Sequence, residues 1–276
     1  MATISRTCTT AIVLAAGRGS RMRRDTATAT LDAAQAAVAA HGIKGMIPDT
    51  RGRPFLDHVL SSLADARIVD VCLVIGPDHD IVRTHYAAHP PTRIRLAFAI
   101  QHEPTGTADG LLTAEMWTAG RDVLVLNADN LYPVDAIRSL TMLGGPGLIA
   151  FDRDALIRES NIDPERIGSF AIVTLHDDGA LESIVEKPGP LYGHGMPPQA
   201  FISMNIWRFD TTIFAACRAV PLSPRGEHEL PMAVGLAVSQ GMKLGAVRVA
   251  AGVLDLSNRG DIATVAQRLG NREVRP

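Results

Sequence analysis

Gly17, Gly19 and Arg21, spaced along the string TAIVLAAGRGSRM from Thr10 to Met22, are residue types suited to gripping a polyphosphate. Glycines at alternate positions let the chain turn tightly and aim successive backbone N–H groups at one point, where an arginine two residues on adds charge. Two familiar phosphate loops do not match. The Walker form ends in Gly-Lys-Ser/Thr, and the first lysine of this chain is Lys44. The dinucleotide fingerprint wants a third glycine where Met22 stands, and no acidic residue ends a second strand about 20 residues on. The plain alternative is a structural turn with a solvated arginine.

A second stretch, RDVLVLNADNLYP, ends an apolar run, Val123 to Leu126, in Asn127, Asp129 and Asn130. The carboxyl end of a strand is where open parallel sheets bind ligands. A carboxylate beside a polyphosphate is unfavourable unless a cation lies between them, so Asp129 implies Mg²⁺. The competing role is capping of a helix that starts near Val134. Glu186 and Lys187 close another strand, a position where a charged pair is often only surface. His85 and His89 have the i, i+4 spacing of two metal ligands, but no HExxH glutamate lies between them, and surface histidines at a helix C-terminus explain them.

These residues need elements to hold them. Ala11 to Leu14 reads as a strand buried on both faces of a parallel sheet, and Val69 to Gly76 and RIRLAFAIQ read as further strands. Asp32 can cap an alanine-rich helix stopped by Gly42, and Lys44 then precedes a helix begun by Pro54 with Phe55, Val59, Leu60 and Leu63 on one face. A helix follows the second strand up to Pro90, and another starts near Ala108. After Gly147 to Phe151 the pattern turns antiparallel: SFAIVTLHDDGALESIVEKP predicts a hairpin about Asp177-Asp178-Gly179, and AFISMNIWRFD a further strand. Helices at Thr211–Ala219 and Glu229–Ser239, a strand at Leu244–Val249 and a helix from about Asp261 to Leu269 complete the chain.

Composition narrows the partners. With 27 basic and 29 acidic residues among 276, the net charge of -2 gives no support for a nucleic-acid or membrane surface and favours a small soluble partner. Cys8, Cys72 and Cys217 are odd in number and far apart, which fits a reducing cytoplasm. Neither a signal peptide nor a membrane span is expected, and the length suits one domain spanning 1–276.

LAAGRGSRM, KGMIPDTRGRPFLDHVL, QHEPTGTADG, LNADN, IVEKP and VLDLSNRGDI occur in the order used by the sugar-1-phosphate nucleotidylyltransferases, and the chain resembles that family over about residues 10 to 270. The resemblance implies an α/β, Rossmann-like three-layer fold with a mostly parallel mixed sheet and an antiparallel addition. Residues 10–150 would form the nucleotide-binding part and 151–270 the sugar-phosphate-binding part. It also implies an enzyme that joins an NTP to a sugar 1-phosphate, giving an NDP-sugar and pyrophosphate. Carried over residue by residue, Arg21, Lys44 and Lys187 are the catalytic cations, and Ala15, Ala16, Gly17, Gly19, Ser20, Gln101, Gly106 and Thr107 bind the nucleotide. Gly168, Glu186, Lys187 and Asn205 lie at the sugar phosphate, and Asp129 and Asp255 hold Mg²⁺. Gln101 and Gly106 resemble positions that read uracil or thymine, placing UTP or dTTP ahead of GTP or ATP. A homo-oligomer is implied by the resemblance alone. No hexapeptide-repeat tail is present before Pro276, so no fused acyltransferase is expected.

This chain departs from the family pattern in three places. The interval from Arg21 to Lys44 is long, and Ile43 stands where a proline usually precedes the lysine, so Arg23 or Arg53 could share its task. An Asp-x-Gly-Thr turn is replaced by Asp255-Leu256-Ser257-Asn258, and Asn205 occupies a frequent glycine position. An acceptor that is a cyclitol, alditol or other phosphate is the sister activity. A sugar-nucleotide-binding regulatory protein without turnover is the alternative of another class.

Overall fold

The computed structural model describes residues 7–24, 31–187 and 200–276; the Gly- and Pro-rich passage 188–199 and the start of the Arg21–Lys44 insertion, 25–30, lie outside the described residues. The strands are β1 (Thr10–Leu14), β2 (Asp70–Ile75), β3 (Arg95–Ile100), β4 (Val123–Asn127), β5 (Asn130–Leu131), β6 (Gly147–Phe151), β7 (Ala171–Leu175), β8 (Leu181–Val185), β9 (Ala200–Phe209), β10 (Gly245–Val249) and β11 (Leu254–Asp255). The main sheet runs β10-β6-β9-β4-β1-β2-β3, with β7 paired to β8 and β9. β1 is parallel to both β2 and β4, whereas β9 is antiparallel to β4, β6 and β7. The fold class is therefore as expected, a mostly parallel sheet with an antiparallel addition.

Side-chain alternation explains why the central strands are continuous apolar runs. Ala11 and Val13 of β1, with Leu124 and Leu126 of β4, enter one core layer, and Ile12, Val123 and Val125 enter the other. Helices Phe55–Asp65, Val134–Thr141 and Asp261–Leu269 cover the first face, and Thr107–Thr113, Ile213–Ala219 and Leu230–Ser239 cover the second. The four residues singled out after Pro54 are all buried.

Chain order places the site. From β1 the chain crosses to β2 on one side, and β4 returns to the other side, so β1 is a topological switch point whose carboxyl end faces a crevice. The Leu14–Asn127 register brings the glycine loop and the LNADN segment to that crevice together. The helix after LNADN begins at Val134 behind Pro133 with no side-chain cap, leaving Asp129 free of the capping role.

Two features were not anticipated. β5 and β11 pair antiparallel, with Asp255 opposite Asn130; runs of two residues carry no periodicity to read. A helix at Arg153–Glu159 and a 3-10 turn at Pro164–Ser169 follow β6, and the turn supplies Arg166.

Candidate active site

The glycine loop departs from β1 between its neighbours: Ala15 N–H donates to Val74 (2.8 Å) and Ala128 N–H to Leu14 (3.0 Å). Gly19 then takes left-handed dihedrals (φ 57, ψ 32) and starts the short helix Ser20–Arg23. A β-carbon at Gly19 would lie 2.0 Å from the Gly42 carbonyl oxygen, so only glycine allows this approach.

Gly42 ends the insertion helix Ala33–His41, whose Asp32 and Gln35 form the expected cap as a complete capping box. Gln35 also donates to the Pro48 carbonyl (3.2 Å), and Arg23 Nε donates to the His41 carbonyl (3.2 Å). The insertion thus braces the loop from the side. Its residues 33–41 do not line the crevice, whereas Gly42, Lys44 and Gly45 do.

Two cavities open at the carboxyl ends of β1 and β4. The first, about 450 Å³, is lined by Ala15, Ala16, Gly17, Arg18, Gln101, Gly106 and Thr107 among others. The second, about 260 Å³, is lined by Arg21, Ser169, Phe170, Glu186, Lys187, Asn205 and Asp255 among others. They share Gly19, Ser20, Lys44, Asn127, Asp129 and Arg225, which places a ring of cations, amides and one carboxylate where two bound molecules would meet. Gly168 is buried beneath this wall, and its neighbours Ser169 and Phe170 line the cavity in its stead. Neither Arg23 nor Arg53 lines either cavity.

At the far end of the first cavity Gln101 is held in place, its Nε2 donating to the Gly106 carbonyl at 3.0 Å. Gly106 (φ 132) lies so close to His228 that a β-carbon would stand 2.3 Å from the His228 carbonyl oxygen. Thr107 Oγ1 accepts from Leu230 N–H (2.8 Å). These contacts pin the loop before helix Leu230–Ser239 against the wall of the first cavity, which Arg225 and Glu227 also line.

Lys44 Nζ donates to Asp129 Oδ2 at 2.7 Å. Asp255, 2% exposed, accepts on Oδ1 from Asn130 (2.9 Å) and Ser257 (3.0 Å) and pairs on Oδ2 with Arg166. Arg166 also pairs with Asp261 at 3.0 Å. Burial and then the negative charge of Asp129 push the Asp255 carboxyl above its usual range, against the opposing pull of Arg166. Asp129 and Asp255 both line the second cavity, and such a donor set fits Mg²⁺, which binds through one or two carboxylates with its remaining positions filled from outside the protein. No cluster of three or more His, Cys, Asp or Glu suited to a metal occurs among the described residues. His85 contacts Asp57 (3.2 Å).

Lys187 bridges two carboxylates, Glu186 (2.8 Å) and Glu229 (3.3 Å). Glu229 in turn accepts from Arg225 Nε (3.0 Å) and Nη2 (2.7 Å). Burial alone would raise Glu229, but the Arg225 hydrogen bonds and the Lys187 charge outweigh it and hold this carboxyl below its usual range. Burial raises Glu186, with Lys187 opposing. By contrast, Arg18 and Arg21 make no ion pair with any described residue and stand exposed at the cavity walls.

Arg225, Glu229 and Arg166 were missed from sequence. The dense charge of RGEHE between two helices was the available signal for the first two. Among the described residues no helix is long and apolar enough to cross a membrane.

The chain matches the family model "Nucleotidyl transferase" over residues 10–265. It is 27% identical over 263 residues to the UTP–glucose-1-phosphate uridylyltransferase AglF of Haloferax volcanii, an alignment covering 94% of this chain and 96% of that protein. It is 26% identical over 224 residues to the bifunctional protein GlmU of Methanocaldococcus jannaschii; that match covers 81% of this chain and 45% of GlmU, so the chain spans about half of that relative's length. In fold it is similar to a UDP-glucose pyrophosphorylase solved with UDP-glucose, at a TM-score of 0.72 and 13% identity, covering 96% of this chain and 100% of that one. With the family model matched over nearly the whole chain, the chain belongs to the nucleotidyl transferase family.

Proposed function

We propose that the protein transfers a nucleotidyl group from an NTP to a sugar 1-phosphate, releasing pyrophosphate and forming an NDP-sugar. The observation that carries this reading is the pair of cavities joined at Lys44, Asp129 and Arg225, one lined by a glycine loop and the other by Lys187, Glu186 and Asn205. One domain serves both substrates, with residues 10–150 supplying most of the nucleotide side and residues 151–270 most of the acceptor side.

The acceptor's phosphate oxygen is already an anionic nucleophile, so no general base is needed; the obstacle is bringing two polyanions into line. The amides of Gly17 to Ser20, with Arg18, hold the triphosphate, and Arg21 reaches its α-phosphate end from the second cavity. Lys187 and Arg225 receive the acceptor phosphate, and the Glu229 carboxylate between them fixes where their charges point. Lys44 lies at the junction and stabilises charge on the transferring group as its bond to pyrophosphate breaks. Asp129 and Asp255 would hold Mg²⁺, which supplies further neutralisation of the α-phosphate and the leaving pyrophosphate. Gln101 and Gly106 face the base, and UTP, the nucleotide named for AglF, is the first candidate with dTTP next.

The test is pyrophosphate release measured for each NTP against a panel of hexose 1-phosphates and cyclitol phosphates, with and without Mg²⁺. Release that needs both an NTP and a hexose 1-phosphate supports the reading. Release with cyclitol phosphates alone moves the acceptor class, and none with any pair leaves a binding protein.

A further inference from the structure

The second cavity contains two buried oxygens that want hydrogen and have none. Glu186 Oε2, whose carboxyl faces that of Glu229, and Asn205 Oδ1 are both enclosed with no donor group among the described residues, and both residues line this cavity. The other Glu186 oxygen is already engaged by Lys187 at 2.8 Å. A buried acceptor left unsatisfied is costly, and two together in a cavity point to donors that arrive with a ligand.

The backbone sharpens the case for Asn205. Four described non-glycine residues have positive φ, Arg67, Ala119, Lys187 and Asn205, and the last two line this cavity. At φ 57 Asn205 stands where glycine would be free of strain, and asparagine is one of the few side chains that tolerates the conformation. What asparagine adds over glycine is its amide. An ionised phosphate offers only acceptors, so it suits Lys187 and Arg225 and cannot satisfy Glu186 Oε2 or Asn205 Oδ1. The donors must come from the body of the acceptor molecule.

We infer that Asn205 is a specificity-determining residue that selects acceptor phosphates carrying a free hydroxyl, whose O–H donates to its Oδ1 while a second hydroxyl donates to Glu186 Oε2. This rests on the reading that the second cavity takes a sugar phosphate and adds a requirement that the reading lacks. The acceptor class is a polyhydroxylated phosphate with at least two unmasked hydroxyls; a deoxy or alkylated position facing Asn205 is rejected.

Fluorine in place of a hydroxyl keeps an acceptor and removes the donor, which makes singly deoxyfluorinated analogues the discriminating probes. kcat/KM is measured by pyrophosphate release for the best hexose 1-phosphate and for its analogues fluorinated at each hydroxyl in turn, with the wild type, Asn205→Asp and Asn205→Gly. The wild type is expected to lose about 10–100-fold at two positions, the equivalent of leaving a buried acceptor unpaired at each. In Asn205→Gly, which relieves the left-handed strain, one of the two losses disappears and the KM for the NTP is unchanged; Asn205→Asp, which keeps an oxygen there, retains both. The same relative values in the wild type and Asn205→Gly overturn the role of Asn205 and leave nucleotidyl transfer standing. Equal kcat/KM for all analogues with the wild type does so independently of how any variant folds. No release with any acceptor phosphate, hexose or cyclitol, overturns this proposal and the transfer reading together.

Discussion

Gly19 and Gly42 meet backbone against backbone: a β-carbon on Gly19 would lie 2.0 Å from the Gly42 carbonyl oxygen, and one on Gly42 would lie 2.7 Å from that of Arg18. The contact makes the end of the insertion helix a wall of the glycine loop, so residues 33–42 support the loop from beside the crevice. Residues 33–41 brace the loop from the side and do not line the crevice.

Gly42→Ala tests the brace. Gly42 is left-handed (φ 74) and has no room for a methyl group, so the substitution should cost about 1–3 kcal/mol of stability. It should also raise the KM for the NTP about 10-fold through a misplaced loop, leaving the KM for the sugar phosphate unchanged. Steady-state kinetics with each substrate varied in turn check the split.

Arg21→Ala removes from the second cavity wall an exposed cation that makes no ion pair with any described residue. Stability should stay within about 0.5 kcal/mol, the usual range for an exposed side chain. Turnover should fall by roughly 10²–10³, the cost of losing one preorganised donor at developing charge. A melting curve and kcat on the same preparation separate the two.

Metal removal should abolish pyrophosphate release, and added Mg²⁺ should restore it. In Asp129→Asn the Mg²⁺ needed for half-maximal rate should rise by at least about 10-fold, because one of the two carboxylates at the junction is lost. Direct Mn²⁺ binding, followed by calorimetry or electron paramagnetic resonance, should weaken in parallel.

A buried pair behind the site gives a pH signature in stability. His58 Nε2 contacts Asp49 Oδ2 at 2.9 Å, while its Nδ1 is enclosed without a partner among the described residues. Burial lowers the His58 pKa from 6.5 despite the pull of Asp49. The unfolded chain therefore takes up the proton first as pH falls: this contribution is complete above about pH 6.5 and declines toward the lower folded value. Asp49, which accepts from Arg51 N–H (2.7 Å) and Arg53 N–H (2.9 Å), is held below 3.8 and adds a loss at still lower pH. In His58→Gln the urea midpoint should depend less steeply on pH between about pH 5 and pH 7.

Several of these relationships can be read in the amino-acid string, and the reason is locality. The glycine loop, the LNADN segment and the Asp32-to-Gly42 helix each declare themselves within about a dozen residues, through apolar runs and caps. Asp255 was named only through a family resemblance, since β11 has two residues and reaches Asn130 across the chain. Arg166 and the Arg225–Glu229 pair escaped notice because their partners are long-range: Asp255 for one, and Lys187 with the Gly106 turn for the other. Asn205 was legible as a residue in a frequent glycine position, but the left-handed backbone that makes the exchange meaningful is a tertiary fact.

The junction of the two cavities is read as the place where an intact sugar phosphate attacks the α-phosphorus of an NTP. Sugar 1-phosphate labelled with ¹⁸O in its phosphate and turned over with UTP and Mg²⁺ examines this directly by mass spectrometry. The full label should appear in the NDP-sugar, on the phosphorus next to the sugar, with pyrophosphate unlabelled. Label in the pyrophosphate, or an NDP-sugar lacking it, would mean that some other bond is made or broken and would refute nucleotidyl transfer at this site.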